Sequence, residues 1–259
     1  MSRFSNLLKY LFIPAVFFLN SCEKPKNLEY KYLLSRNDEK VIGMYNNRII
    51  TKNFGNEAID ETLKNSIEKM KNEILIKTNN KHIIVKIFIF NSETLNAFTS
   101  IDGYVYFSTA IIKLLTKQEL YALLCHEIAH IISRDNSEIY SLSILYKDLK
   151  VTRNKINSII LSKSEKDNLY FKKYIMKKRR YNEYKADKIA LDLLSKSGYD
   201  KNFLILWLKK MEKYYKAVTG PARAFSTHPN IKDRIERAEA LINKSIRKNA
   251  STKISLGTD

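Results

Sequence analysis

Ten consecutive residues constrain this chain more than any others. The stretch "LLCHEIAHII", Leu123–Ile132, is apolar on every side and reads as a helix buried all round. Yet it holds two of the four histidines, His126 and His130, and a glutamate, Glu127. Two imidazoles and a carboxylate left without partners in an apolar interior would cost kilocalories. On a helix, positions i and i+4 share a face, so both histidines can aim a ring nitrogen at one point. Glu127 sits about 100° round from His126. It is poorly placed to join them as a third ligand, but it can reach a water held at the same point. "TKQE", Thr116–Glu119, is a capping box that opens this helix, which should run to about Arg134.

His-Glu-x-x-His on a helix is the zinc-peptidase pattern, with the glutamate as general base. Catalytic zinc wants three protein ligands and one open position. The Gly and His that a metzincin would place after the second histidine are replaced by Ser133 and Asn136, which excludes that class. His82, His228 or a carboxylate from another helix remain as third ligand. The strongest candidate is "RRYNEYKADKIALDLL", Arg179–Leu194, where Glu183 and Asp187 are again i and i+4. Glu183 can bind the metal, and Asp187 can accept the N–H of a ligand histidine.

The 259 residues suit one domain with appendages. The formal charge is +19, but 35 of the 46 basic residues are Lys, spread along the whole chain. Arg is the preferred residue for bidentate phosphate and base contacts, so no nucleic-acid partner is expected. A mild attraction to anionic membrane surfaces fits better. Residues 1–22, "MSRFSNLLKYLFIPAVFFLNSC", have a basic start, an apolar run from Tyr10 to Leu19, and then small residues. That is the pattern of an export signal. Its end, "LNSC", resembles a bacterial lipobox, with Asn20 unusual at its position. Residues 1–21 are read as a lipoprotein signal peptide with lipidation at Cys22, and residues 22–40 as a lipidated tether. Residues 41–245 form the expected domain and 246–259 a disordered tail. The only other cysteine, Cys125, then has no partner and is read as core.

The expected architecture is α+β, mostly helical, with one small β-sheet or hairpin beside the His-Glu-x-x-His helix. Helices are expected over about Asn56–Lys77, Ser137–Lys196 (ended by Gly198), Asn202–Lys216 and Ile231–Lys244, with Trp207 in the core. "IIVKIFIF", Ile83–Phe90, reads as a strand. "NAFTSIDGYVYFST", Asn96–Thr109, reads as two strands around an Asp102-Gly103 turn. Its second half is expected to be an edge strand. An extended substrate could pair with its backbone at Tyr104, Val105, Tyr106 and Phe107, near Asn96.

"HEIAH", "RYNEYKAD", "NAF" ahead of a hairpin, and "STHPNIKDRIER" (226–237) together resemble the HtpX / CaaX-prenyl-protease-like zinc metallopeptidases. These form metallopeptidase family 48, gluzincins of clan MA with a zincin-type domain. The likeness covers about residues 40–245 and is greatest to BepA/LoiP-like periplasmic lipoprotein members. It implies one zinc ion per chain on His126, His130 and Glu183, with Glu127 as base. It also implies Asp187 and Arg180 as supporting residues, and His228 near the metal, stabilising the transition state or capping the zinc. Arg234 would support the oxyanion. The implied protein is a zinc metalloendopeptidase, lipid-anchored in the cell envelope and facing the periplasm. Unfolded, extended or misassembled envelope proteins would be its substrates, and envelope assembly machinery a partner. The rival reading is a low-turnover zinc protein acting as a chaperone or assembly factor. Two departures touch no ligand: Ile101-Asp102-Gly103 stands where the family often has Pro-Gly-Gly, and Arg134-Asp135 where it often has Arg-His.

Overall fold

The structure is a computed structural model that describes residues 34–54, 61–143, 164–217 and 231–255. Cys22 and His228 lie outside the described residues. In chain order the elements are α1 (Arg36–Phe54), α2 (Glu61–Lys77), β1 (Lys86–Phe90), β2 (Ala97–Thr99), β3 (Tyr104–Ser108), α3 (Thr109–Leu114) and α4 (Lys117–Ile132). Then come α5 (135–143), α6 (Ser164–Lys196), α7 (Asn202–Ala217) and α8 (Ile231–Ser255). The fold is mostly helical with one small mixed sheet, as expected from sequence. No helix among the described residues is long and apolar enough to cross a membrane.

Helix α4 is the axis of the fold. Its capping box is present: Thr116 Oγ1 accepts from the Glu119 amide, and the Glu119 carboxylate accepts from the Thr116 amide. Lys210 of α7 meets the same carboxylate at 2.6 Å. Every residue from Glu119 to Ala129 is buried. Helices α6, α7 and α2 and strand β2 all pack around it. Each buried Leu or Ile side chain there contributes about 1.5–3 kcal/mol. Gly198, at φ +81°, follows the end of α6, and the Tyr199 amide donates back to the Leu194 carbonyl. A left-handed residue with this 6→1 bond is a Schellman stop. Trp207 is buried as expected.

The sheet corrects the sequence reading. Its order is β1-β3-β2, with β1 parallel and β2 antiparallel to β3. Strand β3 is therefore central, not an edge, and all five of its residues are buried. Its tyrosines serve packing. The Tyr106 ring stacks on Phe98 at 4.8 Å, and its hydroxyl donates to Asn47 of α1 at 2.8 Å. With partners on both sides, Tyr104, Val105, Tyr106 and Phe107 have no backbone edge to offer a substrate. The exposed edge beside the site belongs to β2.

Helix α1 also departs from expectation. It opens at Arg36, inside the segment read as tether, and Glu39 is buried against Arg134. A charge with such a partner belongs to the fold. At the other end, α8 continues to Ser255, into the stretch expected to be disordered. The turn between β2 and β3 survives the loss of Pro-Gly-Gly because Asp102 (φ 65°) and Gly103 (φ 77°) both take left-handed conformations. A Cβ on Gly103 would lie 2.1 Å from the Ile84 carbonyl oxygen. Gly103→Ala is therefore expected to cost about 2–4 kcal/mol, from left-handed strain plus overpacking. Urea unfolding of the variant beside the parent measures this.

Candidate metal centre

Two helices build the site. Helix α4 presents His126, Glu127 and His130, and α6 presents Glu183 and Asp187 one turn apart. His126 and Glu127 are 1% and 3% exposed, Glu183 8% and Asp187 3%. The His126 and His130 Nε2 atoms lie 3.1 Å apart, with ring planes nearly perpendicular. Glu183 Oε2 is 3.4 Å from His126 Nε2, and Oε1 is 3.6 Å from His130 Nε2. Ligand atoms around a tetrahedral zinc with bonds near 2.0–2.1 Å stand about 3.3 Å apart. Glu183 thus brings one oxygen near each Nε2, and one ligand atom from each of the three residues lies within 4.8 Å of the others, so the donor set can hold one metal ion.

The other ring nitrogens explain why Nε2 points inward. His126 Nδ1 lies 3.0 Å from Asp187 Oδ1, and His130 Nδ1 lies 2.9 Å from Asp135 Oδ2. A carboxylate on each Nδ1 places the proton there and leaves each Nε2 with its lone pair. Two lone pairs at 3.1 Å repel unless a proton or a cation sits between them. Burial and the Arg234 charge push the His126 pKa down. Asp187 and Glu183 overrule them and raise it to about 9. Metal and proton therefore compete for His126.

Arg234, on α8, closes the back of the site. Its Nε and Nη2 donate to the two oxygens of Asp187 at 2.8 and 2.7 Å, and its Nη1 lies 2.9 Å from Glu183 Oε2. Burial alone would raise the Asp187 carboxyl, but Arg234 and His126 hold it below its ordinary range. The guanidinium is only 2% exposed and is taken up by two carboxylates. Arg234, expected from the resemblance to support the oxyanion, here pairs with both Glu183 and Asp187. Trp207 packs beside both the His126 ring (centroids 5.2 Å) and the Arg234 guanidinium (5.5 Å).

A groove of about 740 Å³ runs past Glu127, His130 and Glu183. Strand β2 supplies Phe98 and Thr99 to its wall, with Asn96 just before them, and α1 supplies Ile50. Asn96 lines the groove, whereas the four β3 residues do not. Arg180 is exposed, and Arg179 and Asn182 line the groove instead. His82 does not line this groove; it lines an adjoining cavity of about 500 Å³ that shares Ser100, His130 and Asn136 with it.

Sequence reasoning missed Asp135. The chain leaves α4 through Arg134, whose φ of 53° turns it back, and Asp135 comes to rest under His130. Its other oxygen meets Lys185 at 2.6 Å. The signal was the Arg134-Asp135 departure, where an acid stands at a position read as carrying no role.

The arrangement is a candidate metal centre with a buried carboxylate, Glu127, beside it in a groove. The chain matches the model of Peptidase family M48 over residues 57–242, and it belongs to that family. It is 23% identical over 195 residues to the beta-barrel assembly-enhancing protease of Yersinia pestis, covering 71% of this chain. The match spans about two fifths of that relative, 40% of its length. The crystal structure of S. mikatae Ste24p is also similar, with a TM-score of 0.44 and 17% identity, covering 65% of this chain and 49% of that one.

Two outcomes are expected at the centre. Zinc affinity of the metal-free protein should rise about tenfold per pH unit as His126 gives up its proton, and level off toward pH 9. Competition against a chelator between pH 6 and 8 would show this, since binding must displace a proton held up to about 9. Asp135→Asn should weaken zinc about 10–100-fold, the usual effect of losing a ligand's orienting partner. The same titration reads it.

Proposed function

We propose that this chain is a zinc-dependent endopeptidase of the bacterial cell envelope, anchored by lipid on Cys22. Its substrates are unfolded, extended or misassembled envelope proteins. The observation that carries the reading is the clustering of one ligand atom each from His126, His130 and Glu183 within 4.8 Å, with Glu127 in the same groove. The envelope role draws on the leader-like residues 1–22 and on the relative whose name is beta-barrel assembly-enhancing protease.

His126, His130 and Glu183 would hold the zinc. When bound, zinc supplies Lewis acidity: it makes water a nucleophile near neutral pH and polarises a carbonyl. Glu127 takes the attacking water's proton on its carboxylate and passes it to the leaving amine. Asp187 and Asp135 keep both Nδ1 atoms protonated, so the Nε2 lone pairs stay directed at the metal. Arg234 neutralises the buried Glu183–Asp187 pair and holds α8 against the centre. His228, three residues before Ile231 where α8 begins, is proposed to hold the oxyanion.

Substrate is proposed to lie extended along β2 instead of β3. The β2 amides and carbonyls paired with β3 belong to Asn96, Phe98 and Ser100, so those of Ala97 and Thr99 face outward. Asn136 Nδ2 already donates to the Thr99 carbonyl at 3.1 Å. Backbone pairing at Ala97 needs no particular side chain, which suits a peptidase of broad sequence tolerance.

Glu127→Gln tests the reading. It should retain zinc and lose at least about a hundredfold in cleavage of an unfolded protein. Equal cleavage by parent and variant would remove support for the mechanism. Zinc bound by both with no cleavage by either would favour the assembly-factor reading.

A further inference from the structure

We propose that the outer face of α1 is a docking surface for an anionic lipid bilayer. The inner face of this helix is fully committed. Glu39 pairs with Arg134, Asn46 with Tyr140, and Asn47 accepts from the Tyr106 hydroxyl. Gly43 lies so close to the β2–β3 turn that a Cβ there would stand 2.6 Å from Asp102 Cβ. These contacts fix which side faces out. Val41, Met44, Tyr45, Arg48 and Lys52 then share one side, within an arc of about 100°.

That side is apolar and basic together. Val41 is 63% exposed, Met44 57% and Tyr45 66%, and Arg48 and Lys52 stand exposed among them. The acids of α1 are confined to its first turn. Asp38 is engaged with Ser35, at 2.6 Å from its hydroxyl, and Glu39 is buried. From Lys40 to Phe54 there are three cations and no acid. Aliphatic and tyrosine side chains with interleaved cations suit the headgroup boundary of an anionic membrane. A second copy packed on the same face would bring Arg48 and Lys52 against like charges.

Position in the chain favours the same occupant. Residues 23–35 separate Cys22 from the start of α1. Thirteen residues span at most about 45 Å. A lipid on Cys22 would therefore hold this face within reach of the surface, and to that extent the proposal rests on the lipoprotein reading. Asn46, Ile49 and Ile50 of the same helix line the groove. With α1 on the bilayer, the groove opens beside the membrane, where an extended envelope protein can enter it.

The test uses the chain from residue 22 carrying Cys22→Ser; residues 32–259 form a compact unit of their own. It should co-sediment with vesicles of phosphatidylethanolamine and phosphatidylglycerol at about three to one, be released by high salt, and bind phosphatidylcholine vesicles poorly. Val41→Ser/Met44→Ser/Tyr45→Ser should lower partitioning about tenfold, and so should Arg48→Glu/Lys52→Glu, with zinc content and melting temperature unchanged. The proposal is overturned if the parent ignores the anionic vesicles, or if the variants bind as it does. It is overturned equally if the parent is a dimer that the triple substitution dissociates, which would make a second copy the occupant. Labelled palmitate incorporation at Cys22 in cells tests the lipid anchor separately, so either idea can fail alone.

Discussion

Everything near the centre depends on one buried arrangement of charge. Arg234, Asp187, Glu183 and His126 come from three helices and meet largely out of water. Losing one partner of such a group costs about 3–5 kcal/mol, because the remaining charges stay buried and unpaired. The network therefore does two things. It ties α8 and α6 to α4, and it fixes the rotamers of the residues that could hold a metal. Position and stability cannot be separated here.

The same logic extends outward by one step. His130 has its own carboxylate, Asp135, and that carboxylate has Lys185. Each histidine is thus held through Nδ1 by an acid that is itself held by a cation. The result is a pair of imidazoles whose Nε2 atoms face one another, which is unfavourable without a positive charge between them. Beside it, β2 forms one wall of the groove and α1 another, and each is pinned by side-chain bonds to its neighbour.

Much of this was legible in residues 116–132 and 179–194. The capping box, the i and i+4 histidines and the i and i+4 acids are local patterns, and local patterns survive folding because helix geometry alone sets them. The Asp102-Gly103 turn was legible for the same reason. Strand order was not. "YVYF" is β-branched or aromatic throughout, which fits an inner strand as well as an edge. Its neighbours were decided by β1 pairing parallel to it from eighteen residues upstream. The tether boundary failed in the same way: Glu39 looks like a surface charge until Arg134, far along the chain, comes to meet it.

By itself, then, the sequence determined the two helical motifs, their caps and the chemistry their side chains can perform. Tertiary structure decided which acids serve which histidine, that Arg234 is a buried clamp on two carboxylates, and that β2 instead of β3 borders the groove. The division has a physical reason. Spacing along a helix is set by bonds between near neighbours. Charge pairing and strand order are set by contacts between distant residues, whose geometry exists only once the apolar core has closed around α4.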